Sequence, residues 1–355
     1  MKMTRENIPF QEFFAGSGLV GYGLSPYFRS VWANDVSDRK AVVYRANFDP
    51  DVLHVGDISG VKGTDIPPAE LSWASFPCQD LSLAGKIGGI RSDRSGLVWQ
   101  WLRVIDEQGD LAPRVVCLEN VAGLVSSHGG DDYRQLHLAL SERGYRAGAV
   151  LLNASHFVPQ SRPRVFVIAT RGEIPSGLVS NGPSWLQPRS VANAARSVDG
   201  FVWWSAPEPP ERSSTISDVI EDGEPFDRDD VLDLMPEAQR EKFDRSGLAY
   251  ATGYRRTRSR RQVLELRCDG VAGCLRTPSG GSSRQFLIGR DGEALHARLF
   301  TAREVARLMG APDSFILPKR YNDAYLAMGD AVVAPVAHWL AATFLEKLVR
   351  SAYEQ

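Results

Sequence analysis

A cysteine stands directly behind a proline at the end of an apolar run, Leu71-Ser72-Trp73-Ala74-Ser75-Phe76-Pro77-Cys78-Gln79. Pro77 fixes its own φ and forces Phe76 into an extended conformation, so a strand stops there in a stiff turn. A thiol at such a turn can act as a nucleophile, whereas one inside a strand packs. Other reactive side chains close further apolar runs: Asp35, Gly56-Asp57-Ile58 and Glu119-Asn120-Val121. Gln160-Ser161-Arg162-Pro163-Arg164 places two cations before the run Val165-Phe166-Val167-Ile168, and a thiolate needs cations nearby to lower its pKa. After the first run, Phe14-Ala15-Gly16-Ser17-Gly18-Leu19-Val20-Gly21 spells Gly-x-Gly-x-x-Gly. Asp35 follows Gly16 by 19 residues, the offset at which a carboxylate reaches a ribose.

The glycine pattern alone serves nicotinamide, flavin and S-adenosylmethionine enzymes alike. A thiol and a carboxylate beside a nucleoside site suit one chemistry in particular. Carbon 5 of cytosine is too poor a nucleophile to attack a methyl donor. A thiolate that adds to carbon 6, while an acid hydrogen-bonds ring nitrogen 3, places electron density on carbon 5, which can then accept a methyl group from a sulfonium. Loss of the carbon 5 proton and expulsion of the thiolate restore the ring. This is covalent catalysis with electrostatic assistance.

The elements that must hold these residues follow from the hydrophobic pattern. Strands are expected at 8–14, 30–34, 51–55, 70–75, 114–119, 146–152 and 164–170, with helices at 19–28, 38–47, 97–107 and 132–143. That alternation is the pattern of a mostly parallel sheet wound with helices, an α/β fold whose ligands lie beyond the carboxyl ends of the strands. From about 172 to 274 prolines cluster, tryptophans (Trp185, Trp203, Trp204) stand in loop-like surroundings and neither period persists, so a separate irregular module is expected. Thr301-Ala302-Arg303-Glu304 is a capping box flanked by Phe300 and Val305 as a hydrophobic staple, ended by Gly310 and Pro312. The segment Pro335–Val349 is apolar around most of its circumference and is expected to be a buried helix.

The chain has 355 residues, 43% hydrophobic and 24% charged, with a formal net charge of −2. Any polyanion must therefore be met by a local basic surface, for which Tyr254-Arg255-Arg256-Thr257-Arg258-Ser259-Arg260-Arg261 is the candidate. No apolar run reaches the roughly 20 residues that span a bilayer and the N-terminus has no signal-peptide core, so a cytoplasmic protein with no membrane partner is expected. The four cysteines form no Cys-x-x-Cys pair, so neither a metal site nor a disulfide framework is expected, and Cys117 in Val115-Val116-Cys117-Leu118 reads as core.

With these motifs in this order, the chain resembles the DNA (cytosine-5) methyltransferase family, of the bacterial restriction-modification or orphan type. Phe14-Ala15-Gly16-Ser17-Gly18 is similar to its cofactor loop, Pro77-Cys78-Gln79 to its nucleophile motif, Glu119-Asn120-Val121 to its cytosine-binding motif and Gln160-Ser161-Arg162-Pro163-Arg164 to its Gln-x-Arg-x-Arg element. Arg276-Thr277-Pro278-Ser279-Gly280-Gly281 and Gly329-Asp330-Ala331-Val332 match its two last motifs.

The resemblance implies a Rossmann-like methyltransferase fold with a catalytic and cofactor-binding domain at 1–171, a smaller irregular target-recognition domain at 172–285, and a C-terminal segment at 286–355 whose last helix returns to the catalytic domain. It implies S-adenosylmethionine, with S-adenosylhomocysteine as product, held by Phe14, Ala15, Gly16, Ser17, Gly18, Asp35, Val36, Asp57, Ile58, Pro77, Leu97, Asp330 and Ala331. Asp35 would take the ribose hydroxyls, Asp57 the adenine amine, and Phe14 and Ile58 the adenine faces. Cys78 would be the nucleophile with Gln79 beside it, and Glu119 would contact ring nitrogen 3 and the exocyclic amine. Arg164 would take the 2-oxo group, Arg162 would support the transition state and Asn120 would brace the Cys78 loop. Double-stranded DNA is the implied partner. It would be met by Ser82, Lys86 and Arg94 in a loop that closes over the flipped base, and by Arg255, Arg256, Arg258, Arg260, Arg276, Ser283 and Arg284. A separately encoded restriction endonuclease is a further implied partner, and the enzyme would act as a monomer.

Three positions depart from the family pattern: Leu19 stands where a second glycine is common, Asp35 replaces a longer glutamate, and Asp330 replaces an asparagine. Asp330 could favour a sulfonium cation or cap a helix. Transfer RNA is the alternative substrate, although the Cys-Phe-Thr tripeptide of that branch is missing here. A nicotinamide oxidoreductase would leave Cys78 and Glu119 without a role, and a catalytically dead DNA-binding regulator would have no use for either.

Overall fold

The computed structural model describes residues 8–77, 96–277, 284–351 and 353. They group into two compact units: the described residues of Met1–Leu152, Pro163–Glu208 and Val336–Gln355, and those of Asn153–Arg162 and Pro209–Pro335.

The first unit runs β1 (Ile8–Phe13), α1 (Leu19–Leu24), β2 (Phe28–Asp35), α2 (Asp38–Asn47), β3 (Leu53–Val55), β4 (Leu71–Ala74), α3 (Leu97–Glu107), β5 (Val115–Val121), α4 (Asp131–Glu142), β6 (Arg146–Asn153) and β7 (Pro163–Thr170). Its seven strands form one sheet in the order β3-β2-β1-β4-β5-β7-β6. The strands from β3 to β5 are parallel, and β7 pairs antiparallel with β5. The sequence alternation therefore reads correctly as a wound, mostly parallel sheet. The central strands are buried on both faces, β4 and the first six residues of β5 completely, which is why they appear as unbroken apolar runs. Helix α3 covers them with Val98, Trp101, Leu102, Val104 and Ile105, and the Trp101 indole donates to the Ser72 hydroxyl at 3.0 Å.

Strand order reverses between β1 and β4. The chain leaves β1 towards β2 and β3, then crosses back to lay β4 on the other side of β1, with Phe13 paired to both Asn34 and Ala74. Such a reversal opens a crevice at the carboxyl ends of the two central strands. The glycine loop follows β1 there and Pro77 follows β4.

Residues 172–208, which the sequence groups with the irregular module, pack with the sheet instead. Helix α5 (Arg189–Ala195) lies in this stretch. Trp204 is fully buried and its indole faces the carbonyls of Gly148 (3.1 Å) and Ile168 (3.2 Å). A side chain on Gly148 would run into the Val202 backbone. The tryptophans thus act as core of the first unit, and the boundary falls near Pro209.

The second unit holds α6 (Glu237–Ser246) and an antiparallel sheet of β8 (Tyr250–Arg258), β9 (Arg261–Arg267), β10 (Gln285–Asp291) and β11 (Ala294–Leu299), in the order β11-β10-β8-β9. Its core gathers Val231, Phe243, Leu264, Phe286, Ile288 and Ala297. This order contradicts the expectation of an irregular module. The alternation is hidden because β8 buries four consecutive residues, Ala251–Tyr254, and then turns to arginines.

Helix α7 (Ala302–Leu308) starts with the expected capping box. The Glu304 amide donates to the Thr301 hydroxyl (3.1 Å) and the Thr301 amide to the Glu304 carboxylate (2.8 Å). Gly310 ends it at φ 76°. After α8 (Tyr321–Gly329) the chain breaks at 330–333. It continues as α9 (Ala334–Leu340), one π-helical turn (Ala341–Leu345) and α10 (Glu346–Ser351), so the single helix expected at 335–349 carries a bulge. Trp339 meets Trp185, and Phe344 meets Trp204. By length and composition alone Tyr321–Ser351 is apolar enough for a membrane span, but the helix is interrupted at 330–333 and 67% of its apolar window is buried inside the protein.

Arg298 grips Glu304 through two bonds of 2.7 and 2.6 Å, with side-chain exposures of 4% and 0%. Removing one partner strands a buried charge. Glu304→Ala is expected to lower the unfolding free energy by about 3–5 kcal/mol in urea titrations; an unchanged midpoint would show that the pair contributes nothing.

Candidate active site

The glycine loop begins with strain. Phe14, Gly16 and Gly18 all take positive φ (60°, 58° and 84°) as the chain turns off β1. A side chain on Gly18 would collide with the Phe48 ring, so glycine is required there. The loop is tied down by the Gly16 amide donating to Asp35 Oδ2 (2.8 Å), the Ser37 amide to Asp35 Oδ1 (2.8 Å) and the Ala15 amide to the Asn34 carbonyl (2.9 Å). Asp35 is 6% exposed, and each of its oxygens retains lone-pair capacity beyond the backbone amide it accepts. Ala15, Ser17 and Leu19 are buried in the turn, while Val36 presents an apolar side chain to solvent.

Beyond β3, Asp57 accepts from the Ser59 amide at 2.7 Å. The Ser59 hydroxyl and amide hold its carboxyl below the usual carboxylate range. Arg103 clamps the same loop by donating to the carbonyls of Ile58 (3.0 Å) and Val61 (2.9 Å). Ile58 is buried, and Leu97, at the start of α3, is half-buried. Phe14, Asp35, Asp57, Ile58 and Leu97 thus share one unit, four of them at or just beyond strand ends.

The catalytic candidates of the first unit lie on β5 and β7. In the antiparallel register Glu119 faces Phe166 and Val121 faces Arg164, so Glu119 and Arg164 are diagonal neighbours on one face. Arg164 Nε meets Glu119 Oε1 at 2.9 Å, with side-chain exposures of 17% and 9%. Asn120, on the other face, donates from Nδ2 to the Phe76 carbonyl (2.8 Å) and accepts the Val121 amide (2.8 Å). The chain just ahead of Pro77 is thereby fastened to the strand that carries Glu119. Cys78 and Gln79 lie outside the described residues, as do Ser82, Lys86, Arg94, Ser283 and 278–281 of the Arg276 motif. Cys117 is fully buried; burial first, and then Glu119, push its thiol well above the ordinary value, so it remains a core thiol.

Arg162 belongs to the second unit and is 2% exposed. Its guanidinium donates to the carbonyls of Leu275 (2.8 Å), Gly329 (3.2 Å) and Ala331 (2.8 Å). It therefore fixes the backbone around Asp330 and Ala331. Asp330 is exposed at the C-cap of α8.

The basic candidates divide. Arg255 lies over Phe286, Arg256 over Tyr254 and Arg284 over Tyr321, with Arg284 also donating to Asn322. Arg258 forms a bidentate pair with Glu265 (2.5 and 3.0 Å), so its charge is already partnered within the protein. Arg260 is exposed at a turn, and Arg276 is exposed.

Sequence reasoning missed three supporting residues: Asn34, which donates to the carbonyls of His54 (2.9 Å) and Gly56 (3.0 Å), Ser37, and Glu12. Ser37 carried the signal of a helix cap, and Glu12 that of an acid within an apolar strand. Glu12 is 1% exposed, and its carboxyl faces the Gly21 backbone. Burial, with repulsion from Asp35 second, raises its pKa to about 8.

The model of the family described as C-5 cytosine-specific DNA methylase matches residues 8–346. Type II methyltransferase M.Bsp6I of Bacillus sp. (strain RFL6) is 26% identical over 347 residues, covering 95% of this chain and 98% of that one. Type II methyltransferase M.HhaI of Haemophilus parahaemolyticus is 26% identical over 341 residues, covering 94% and 92%. Among solved structures, the S. pombe Dnmt2 methyltransferase aligns with a TM-score of 0.62 at 21% identity, covering 96% of this chain and 99% of that one, a likeness of fold.

Glu12 gives a test with a defined sign. Below about pH 4.5 the carboxyl is protonated folded and unfolded. From there to about pH 8 only the folded chain keeps the proton, so stability falls across that window, by about 3 kcal/mol at neutral pH. Glu12→Gln is expected to melt higher than the parent at pH 8 and to converge with it near pH 4.5. Parallel melting curves across this range would show that Glu12 is ionised in the fold.

Proposed function

The chain belongs to the C-5 cytosine-specific DNA methylase family, and from that premise we propose that it transfers a methyl group from S-adenosylmethionine to carbon 5 of a cytosine flipped out of a specific duplex DNA sequence. The observation that carries this reading is the Glu119–Arg164 pair on the strand whose Asn120 holds the Phe76 carbonyl, two residues ahead of Cys78.

In this reading the Cys78 sulfur bonds to carbon 6 of the extruded base, because carbon 6 is out of reach inside the stack. Glu119, oriented by Arg164, donates a proton to ring nitrogen 3 and so offsets the negative charge that thiolate addition places on the ring. Once carbon 5 carries the methyl group, loss of its proton to solvent expels the Cys78 thiolate and restores the ring. The residues of the first unit fit the methyl donor: Asp35 keeps lone pairs for ribose hydroxyls, Asp57 accepts an amine, and half-buried Phe14, packed against the core that holds Ile58, offers an apolar face. When bound, S-adenosylmethionine supplies an electrophilic methyl group. Within the second unit, Arg162 holds the backbone on either side of Asp330. The type II names of the relatives suit a restriction-modification role; a separately encoded endonuclease as partner and a monomeric enzyme are further parts of the proposal.

Bisulfite sequencing of DNA from cells expressing the protein is expected to show one short methylated sequence context. A duplex carrying 5-fluorocytosine at that site should trap a covalent complex that survives denaturation, because the fluorine cannot leave as a proton does. Cys78→Ala should form no such complex and transfer no methyl groups while still binding DNA. Full activity in Cys78→Ala, or methyl incorporation into transfer RNA in place of DNA, would overturn the proposal.

Glu119→Gln is expected to lower single-turnover methylation by about 10²–10³-fold, the scale of one lost electrostatic contact to the transition state. A rate within threefold of the parent would remove Glu119 from the chemistry.

A further inference from the structure

The connection from β3 to β4 runs outside the sheet. Strand β3 ends at Val55 and β4 begins at Leu71. Between them Asp57 caps one 3₁₀ turn, Ile58–Gly60, and a second turn follows at Gly63–Asp65. Single turns of this kind are marginal by themselves. The position of the Asp57 carboxylate therefore depends on what grips the chain behind it, and helix α3 grips it twice.

Arg103 holds the first turn. Its Nη2 donates to the carbonyls of Ile58 (3.0 Å) and Val61 (2.9 Å) and faces that of Ser59 at 3.5 Å. Its other donors fix the guanidinium from behind, Nε to Gln100 Oε1 (2.9 Å) and Nη1 to Glu107 Oε1 (2.5 Å). Glu107 is also the second grip, because its Oε2 accepts the Gly63 amide at 2.8 Å. Gly63 approaches so closely that a side chain there would run into the Val104 carbonyl. Positions 100, 103 and 107 share one face of the helix, so a single stripe of α3 holds both turns. The side chains of Arg103 and Glu107 are 33% and 35% exposed. Water could satisfy the same carbonyls at such a place; what the arginine adds is fixed geometry.

We propose that Arg103, braced by Glu107, is a positioning residue for the adenine site: by locking the Ile58–Val61 turn it fixes the Asp57 carboxylate where only a base with an exocyclic amine is accepted. The inference rests on the proposed methyl donor and on Asp57 as acceptor of its adenine amine. The Ser59 hydroxyl and amide hold the Asp57 carboxyl below the usual carboxylate range, so it is ionised and offers acceptors only. Adenine presents an amine donor to such a group. Hypoxanthine presents a carbonyl oxygen, one acceptor against another. A carboxylate that cannot retreat rejects the second base, whereas one on a loose turn swings aside.

The test measures binding without turnover. Wild type, Arg103→Lys and Arg103→Ala are titrated calorimetrically with S-adenosylhomocysteine and with S-inosylhomocysteine, which carries hypoxanthine in place of adenine. Amide hydrogen exchange is followed in the ligand-free proteins. Wild type should prefer the adenine ligand by about 10–100-fold, the scale of a hydrogen bond to a charged group. Arg103→Ala should bind the adenine ligand about tenfold more weakly and the hypoxanthine ligand within about threefold of wild type, so that the preference collapses. Arg103→Lys keeps the charge without the fork and should fall between the two. The amides of Ser59, Gly60 and Val61 should exchange about tenfold faster in Arg103→Ala, while those of β4 and β5 stay as in wild type. Equal losses for both ligands, or faster exchange throughout the sheet, would make Arg103 a general stabiliser and overturn the proposal, as would an unchanged preference. A wild type that binds S-adenosylhomocysteine without distinguishing the bases would overturn the selecting role of the turn and leave the methyl donor standing. One that binds neither ligand would overturn the donor and this inference together.

Discussion

A single diagonal ion pair between two antiparallel strands organises the chemistry proposed for this fold. Glu119 and Arg164 are 45 positions apart in the chain, and they meet because β7 inserts antiparallel beside β5, with Phe166 opposite Glu119. A two-residue offset across such a pair keeps both side chains on one face. A one-residue slip of register would send Arg164 to the opposite face and leave a buried carboxylate without its cation. The same strand turns Asn120 to the other side, where it grips the Phe76 carbonyl. Two successive residues of β5 thus serve two ends, one facing the proposed base site and the other fixing the chain that leads to Cys78.

The glycine loop rests on a comparable economy of partners. Asp35 accepts two backbone amides, one from the glycine loop and one from the turn that starts α2, so the ends of β1 and β2 are locked to each other by one carboxylate. Glu12 lies behind that loop in a buried environment, and its proton keeps a second negative charge away from Asp35. A loop with three positive φ angles in five residues is held by this scaffold and not by its own propensity. The result is a preorganised edge at the point where strand order reverses, with the glycine loop and Pro77 following neighbouring strands.

Arginine does three different jobs in this molecule. Arg162 donates to backbone carbonyls, and Arg103 divides its donors between backbone carbonyls and the Glu107 carboxylate, so both act as internal staples. Arg298 and Arg258 are bound to carboxylates within the protein, one buried and one exposed. Arg260 and Arg261 remain on the surface where β8 turns into β9. Charge counting treats all of these alike, and a net charge of −2 conceals them. Only the partners of each guanidinium tell which charge is available to another molecule.

What the sequence determined by itself is the part encoded by local chemistry. Apolar runs closed by Gly16, Asp35, Asp57, Pro77 and Glu119 marked the strands and their carboxyl ends to within a residue or two, because central strands buried on both faces leave a continuous signal. The capping box at Thr301 was legible for the same reason, since its donors and acceptors lie within one turn. Tertiary structure decided what depends on distant partners. Pairing of β7 with β5 selected Arg164 for Glu119, while three carbonyls from 275, 329 and 331 engaged Arg162. Trp204 belongs to the sheet unit because Gly148, far along the chain, leaves room for the Val202 backbone beside it. The antiparallel sheet of the second unit stayed hidden because its strands alternate small, buried and basic residues, whose environments are set by long-range packing and not by sequence period.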